Sequence, residues 1–135
     1  DEEIRVPGTT RIKGTGCIIE AFLEKKVEYV EAGTNISYNS LEQVFDYEKL
    51  KLGINIRNRR AGDIFKPLKS TGTKKLKDYL IDRKVPAYLT DSIPLVAAGK
   101  EIVWVVGYRI SDKFKVTENT KTVLKLKYKK AEQGW

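Results

Sequence analysis

The sequence contains no histidine and a single cysteine, Cys17. Losing histidine removes the commonest general base and the commonest metal ligand. A Ser-His-Asp or Cys-His nucleophile is therefore excluded within these 135 residues, and a zinc site lacks both imidazoles and paired thiolates. Carboxylates are present, but no pair is set apart by its spacing. One cysteine cannot close an internal disulfide, which fits a reducing, cytoplasmic compartment. Cys17 precedes Ile18 and Ile19 and reads as a core position of a strand. No apolar run approaches the roughly 20 residues that span a bilayer, so no membrane contact is expected. The first three residues are acidic, where a secretory signal begins with basic ones. Glycine-rich nucleotide loops are also missing. Gly14-Thr15-Gly16 does not continue into a dinucleotide fingerprint, and Gly72-Thr73-Lys74-Lys75 lacks the earlier glycine and the Lys-Ser/Thr order of a Walker loop.

What is present is positive charge, unevenly spread. The net charge is +8, yet residues 1–53 carry a net −3 and residues 54–135 a net +11. The chain is long enough for one compact domain, or one with a smaller appended part. The change in charge at Gly53 suggests a β-rich part over 1–53 and a basic domain over 54–135. A basic segment attracts polyanions and steers their approach; the alternative is an ordinary solvated lysine-rich surface.

Periodicity predicts an α+β fold, mostly β, with mixed or antiparallel sheets in a sandwich- or barrel-like arrangement and one amphipathic helix. Residues 17–23 read as a strand, Glu24-Lys25-Lys26 as a turn, and Val27 to Val30 as the returning strand. Residues 33–39 read as loop. Asp46 is a candidate N-cap for a short helical turn. Ile54, Ile56 and Asn58 alternate with Asn55, Arg57 and Arg59. Residues 61–63 make a turn, and the helix is expected over about 74–84, capped by Thr73 and ended by Pro86. A hairpin turns at Gly99-Lys100, and the strand through Trp104 is apolar on both faces. In the last strand Leu124, Leu126 and Tyr128 face the core and Lys125, Lys127 and Lys129 form a lysine row; the end from Lys129 reads as a tail. Among the aromatics, Tyr88, Tyr108 and Trp135 are candidates for stacking on bases, or simply core and rim residues.

Two cationic groups stand out. Lys74, Lys75 and Lys77 fall in the expected first helical turn, where the helix dipole disfavours cations unless an anion is bound. Long lysines swinging into water would also relieve that cost. Arg57, Arg59 and Arg60 form the second group, suited to phosphate oxygens or, alternatively, to ion pairs with Asp63 or Asp82. Lys69 could join either.

From residue 56 to 116 the sequence resembles the C-terminal domain of bacterial tRNA(Ile)-lysidine synthases. The resemblance is carried by Ile56-Arg57-Asn58-Arg59-Arg60-Ala61-Gly62-Asp63-Ile64-Phe65-Lys66-Pro67-Leu68. It continues through Gly72-Thr73-Lys74-Lys75-Leu76-Lys77-Asp78-Tyr79, Ile81-Asp82-Arg83-Lys84-Val85-Pro86, the hairpin from Ile93 to Gly107, and Phe114-Lys115-Val116-Thr117. Ile64, Ala87 and Thr90 stand where the family usually has arginine. The resemblance implies a domain like one in a tRNA-synthetase β subunit. It also implies binding to tRNA on its acceptor-stem side through Arg57, Arg59, Arg60, Lys69, Lys74, Lys75 and Lys77. The whole enzyme of such a family is a ligase that uses ATP and Mg to join lysine to carbon 2 of the wobble cytidine in an isoleucine tRNA with anticodon CAU, making lysidine. That chemistry belongs to an N-terminal catalytic domain with a Ser-Gly-Gly-x-Asp-Ser loop. No Ser-Gly-Gly occurs here, so no cofactor is expected for these residues. The expected partners are tRNA, the N-terminal catalytic domain and a possible second copy in a homodimer. The alternative is a structural or dimerisation module with an incidental basic face.

Overall fold

The computed structural model describes residues 1–26 and 40–130. The expected strand from Val27 to Val30, the loop over 33–39 and Trp135 lie outside the described residues. Among the described residues the chain forms ten strands, in order β1 (Glu2–Glu3), β2 (Gly8–Ile12), β3 (Cys17–Lys25), β4 (Glu42–Asp46), β5 (Asn55–Arg57), β6 (Ile64–Phe65), β7 (Lys74–Lys75), β8 (Leu95–Ala98), β9 (Glu101–Val105) and β10 (Thr122–Lys130). Two short helices, α1 (Leu76–Asp82) and α2 (Ala87–Thr90), lie between β7 and β8. One sheet has the order β1-β5-β8-β9-β6-β7, with β6 parallel to β9 and its other pairs antiparallel. The other, β2-β3-β10-β4, is antiparallel throughout.

The mostly-β expectation holds, and burial explains the layering. Ile19, Ala21, Phe45, Leu124 and Leu126 of the four-stranded sheet share one core with Ile56, Val96, Val103 and Trp104 of the six-stranded sheet. A second core lies on the other face of the six-stranded sheet, where Leu76, Tyr79 and Leu80 of α1 meet Phe65, Leu95, Ile102 and Val105. β8 and β9 are therefore covered on both faces, as their continuous apolar runs require. A register shift explains how Val103 and Trp104, adjacent in sequence, enter the same core. Val96 pairs with Trp104 and Ala97 with Ile102, so Val103 is the extra residue of a β-bulge.

Both sheets draw strands from either side of residue 53. β1 pairs with β5, and β10 lies between β3 and β4. β3 runs through Glu24 and Lys25, where a turn was expected, because both pair with β10. Lys129 and Lys130 likewise belong to β10 rather than to a tail. Asp46 caps a single 3-10 turn, Tyr47–Leu50, by accepting from the Glu48 N–H at 3.1 Å, as expected.

The helix departs most from the sequence reading. It starts at Leu76, not Lys74, because Lys74 and Lys75 pair with Phe65 and Ile64 as strand β7. Lys75 occupies the N-cap with no side-chain cap bond, so Thr73 is not the cap. Pro86 does not end the helix either. The Val85 N–H reaches the Leu80 carbonyl and the Lys84 N–H reaches that of Ile81. Lys84 sits at φ 58, which makes this a Schellman closure with lysine in the left-handed position that glycine favours.

Candidate nucleic-acid interface

Arg57 begins as the last residue of β5 and ends inside the protein. Its Nη1 and Nη2 donate to the two Asp63 carboxylate oxygens at 2.9 and 2.8 Å, and also to the carbonyls of Asn58 and Gly99, each at 2.9 Å. The side chains of Arg57 and Asp63 are only 5% and 3% exposed. Asp63 accepts the Arg60 N–H as well, at 2.8 Å, while its own carbonyl takes the Leu76 N–H. Burial would raise the Asp63 carboxyl, but the hydrogen bonds from Arg57 and the Arg60 N–H hold it below the ordinary carboxylate range. This pair ties β5, the turn at Gly62 (φ 89), the β8–β9 hairpin tip and the start of α1 together. All four hydrogen bonds of the Arg57 guanidinium go to groups of the protein itself. Its expected contact role is corrected to an internal one.

The phosphate seat at a lysine-rich helix start is corrected too. Only Lys77 lies in the first turn of α1, and Asp78 stands beside it. At about 100° per residue, Lys77 and Ile81 fall on one side of the buried stripe, and Asp78 and Asp82 on the other. Lys74 goes with the acidic side, pairing with Asp82 at 2.8 Å. Lys75 is exposed and has no carboxylate partner among the described residues. Arg60 pairs with Asp1, and Arg59 Nη2 with Asp91 at 2.9 Å. Of the seven expected contact residues, the fold brings Arg59 and Lys77 to one groove. Leu80, Ile81, Val85, Ala87 and Thr90 complete its lining, around a cavity of about 230 Å³.

A denser cationic cluster forms around Asp112, a residue with no distinguishing signal in the sequence. Asp112 begins a 3-10 turn, Asp112–Phe114, and is 13% exposed at its side chain. It accepts Lys115 Nζ at 2.9 Å and the Lys69 backbone N–H at 3.0 Å, with Lys66 Nζ 3.5 Å from its other oxygen. The Lys115 and Lys69 hydrogen bonds hold the carboxyl below its usual range. One residue before Lys69, the Leu68 carbonyl accepts the Arg109 guanidinium at 3.4 Å. The Arg109 N–H in turn reaches the Tyr79 hydroxyl at 3.4 Å. Burial pushes that hydroxyl up, while the hydrogen bond from the Arg109 N–H and the charges of Arg83 and Arg109 pull it back. Lys66 and Lys115 thus meet at one carboxylate, with the Lys69 backbone N–H on the same oxygen as Lys115 and the Arg109 guanidinium on the carbonyl of the preceding residue, Leu68. Lys113 adjoins them, paired with Glu101.

The lysine row of β10 contributes little to this surface. Lys125, Lys127 and Lys129 pair across the sheet with Glu24, Glu42 and Glu20 at 3.0, 3.5 and 3.1 Å. Acid from the first part of the sequence neutralises base from the last. Among the described residues no group of three or more His, Cys, Asp or Glu is placed to hold a metal ion. Cys17 is half-buried at the head of β3 rather than in the core.

Comparison with known proteins places this geometry among relatives. The family model described as the TilS substrate C-terminal domain matches residues 54–127. The chain is 47% identical over 131 residues to a tRNA(Ile)-lysidine synthase of Caldanaerobacter subterraneus subsp. tengcongensis, covering 96% of this chain and 27% of that protein. It is 52% identical over 83 residues to the corresponding synthase of Clostridium tetani, covering 62% of this chain and 18% of that one. The chain therefore spans about a quarter or less of these relatives' length. Its fold matches a crystal structure of a TilS C-terminal domain with a TM-score of 0.75 and 26% identity, over 98% of this chain and 97% of that one.

Proposed function

We propose a function from one premise: the chain belongs to the family of the TilS substrate C-terminal domain. On that premise it is the tRNA-binding part of a tRNA(Ile)-lysidine synthase. It holds the acceptor-stem side of an isoleucine tRNA while a catalytic domain outside these residues uses ATP to join lysine to the wobble cytidine. The observation that carries the reading is the meeting of Lys66 and Lys115 at the Asp112 carboxylate, with Lys69 and Arg109 held on the adjoining backbone. Phosphates spaced along a duplex need such a set of cations on one surface, not a single anion pocket. Lys75, Lys77, Arg59, Arg60 and Lys74 are proposed as further contacts.

A salt titration of binding to an isoleucine tRNA with anticodon CAU tests this. Each phosphate neutralised contributes about −0.9 to the slope of log affinity against log salt. Lys66→Ala combined with Lys115→Ala should make that slope shallower by about two units. Lys127→Ala should leave it unchanged, because in the row formed by Lys125, Lys127 and Lys129 each lysine has a glutamate of its own, whereas Lys66 and Lys115 share one carboxylate. Binding indifferent to salt would overturn the proposal, and self-association without RNA binding would favour a dimerisation module.

A further inference from the structure

The groove between α1 and α2 is lined mainly by aliphatic side chains and left uncovered by the packing described above. We infer that it receives one unpaired nucleotide of a bound RNA, with base and ribose on the aliphatic floor and the phosphate between Arg59 and Lys77. This rests on the RNA-binding reading and assigns a subsite to it.

The groove is a built feature. The Schellman closure at Lys84 folds Val85 back beside Leu80, and the chain then turns through Pro86 into α2. That geometry leaves Ile81 60% exposed and sets Ala87 and Thr90 opposite it. Tyr88, 82% exposed, and Leu89, 40% exposed, extend the apolar surface of α2. Uncovered aliphatic surface of this kind favours a partner with an apolar face. The lips select the sign of that partner, since Arg59 and Lys77 are both cationic. The nearest acid, Asp91, is itself bound to Arg59 and 79% exposed, so a phosphate can displace it at little cost. Arg59 also offers a guanidinium plane against which a base can stack.

Size favours a nucleotide over a protein segment. Drug-sized ligands occupy about 300–1,000 Å³, and this cavity holds about 230 Å³. A docked helix needs anchors over two turns, whereas α1 supplies one turn here, through Lys77, Leu80 and Ile81. The lining has almost no polar group free to read a base edge. The Thr90 hydroxyl already donates to the Ala87 carbonyl at 2.9 Å. The subsite should therefore accept any base.

The test compares a blunt RNA hairpin with the same hairpin carrying an unpaired tail, both titrated against the intact chain. The tail should tighten binding about tenfold, regardless of its sequence, as stacking of one base does. Ile81→Asn changes an exposed side chain and leaves folding intact. It should erase the gain and keep the blunt hairpin's affinity. Asp91→Asn should increase the gain about two- to fivefold by releasing Arg59. If the blunt hairpin binds and the tail adds nothing, the subsite is refuted while the RNA-binding reading stands. The subsite is equally refuted if the gain survives Ile81→Asn, or if an acidic peptide rather than RNA competes for the groove. If neither hairpin binds, both readings fall.

Discussion

Asp63→Asn should cost about 3–5 kcal/mol, the usual consequence of leaving one charge of a buried pair uncompensated. The magnitude follows from what Arg57 would keep. Four hydrogen bonds hold its guanidinium; two go to the Asp63 carboxylate and two to carbonyls, and only the carboxylate carries opposing charge. With 5% of the side chain exposed, water cannot take over. Against a typical domain stability of about 5–15 kcal/mol, the loss is large. Urea unfolding followed by the fluorescence of Trp104, which is fully buried, measures it directly.

The reciprocal variant separates this account from a generic packing loss. Arg57→Met leaves Asp63 with the Arg60 N–H alone, so burial dominates and raises its pKa above the unfolded value of about 3.9. In the native protein the shift is downward. There the pair's stabilisation is complete above about pH 4 and is lost as pH falls through the depressed folded value. In the variant the sign reverses: stability is greatest below about pH 4 and falls as pH rises through the raised value. The gap between the two proteins should therefore widen with pH. A gap that is constant with pH, or an Asp63→Asn cost below about 1 kcal/mol, would refute the buried-pair reasoning. A salt slope of tRNA binding that drops by about one unit in a folded Arg57→Met protein would refute it differently, by placing Arg57 on a phosphate.

Two smaller predictions test the local corrections. Asp46→Ala should cost about 1 kcal/mol because Asp46 is a working cap, whereas Thr73→Ala should fall within about 0.5 kcal/mol of zero, as for an ordinary surface site; urea midpoints read both. Lys84→Gly should stabilise by about 1 kcal/mol, because φ 58 strains any side chain but suits glycine. A loss of stability there would show that the lysine makes a compensating contact.

Period-two alternation made β10 legible because one of its faces meets the core, while β8 and β9 were legible as continuous apolar runs covered on both faces. The hairpin at Gly99 was legible because φ 63 there needs a residue like glycine. The helix start misled for a physical reason. Lysine has good helix propensity, but pairing of Lys74 with Phe65 and of Lys75 with Ile64 supplies backbone hydrogen bonds that a helix would have to forgo. Tertiary pairing decided the boundary, and nothing near residue 74 announces it. Arg57 misled in the same way. Its place on an alternating strand suggested an outward fork, yet the partner that draws it inward is six residues on, and its second anchor is 42 residues on, at the Gly99 carbonyl.

Charge is where reading along the chain and reading across the fold diverge most. The net +11 of residues 54–135 looked like one basic domain, but β10 carries four of those lysines into a sheet where Lys125, Lys127 and Lys129 meet Glu24, Glu42 and Glu20 of the other strands. Exposed cross-strand pairs of this kind contribute little stability each, and they also cancel the far field that would draw RNA to that face. The opposite holds around Asp112. Lys66 and Lys69 bracket Pro67-Leu68 while Lys113 and Lys115 bracket Phe114, and a bridge between Pro67 and Ser111 joins the two segments. Each segment alone is an ordinary pair of lysines around buried residues. Joined, they bring Lys66 and Lys115 to one carboxylate, so cations outnumber the acid they share. Positive charge is thus gathered about Asp112 and matched by acid along the lysine row of β10. The fold accomplishes both by choosing which strands become neighbours.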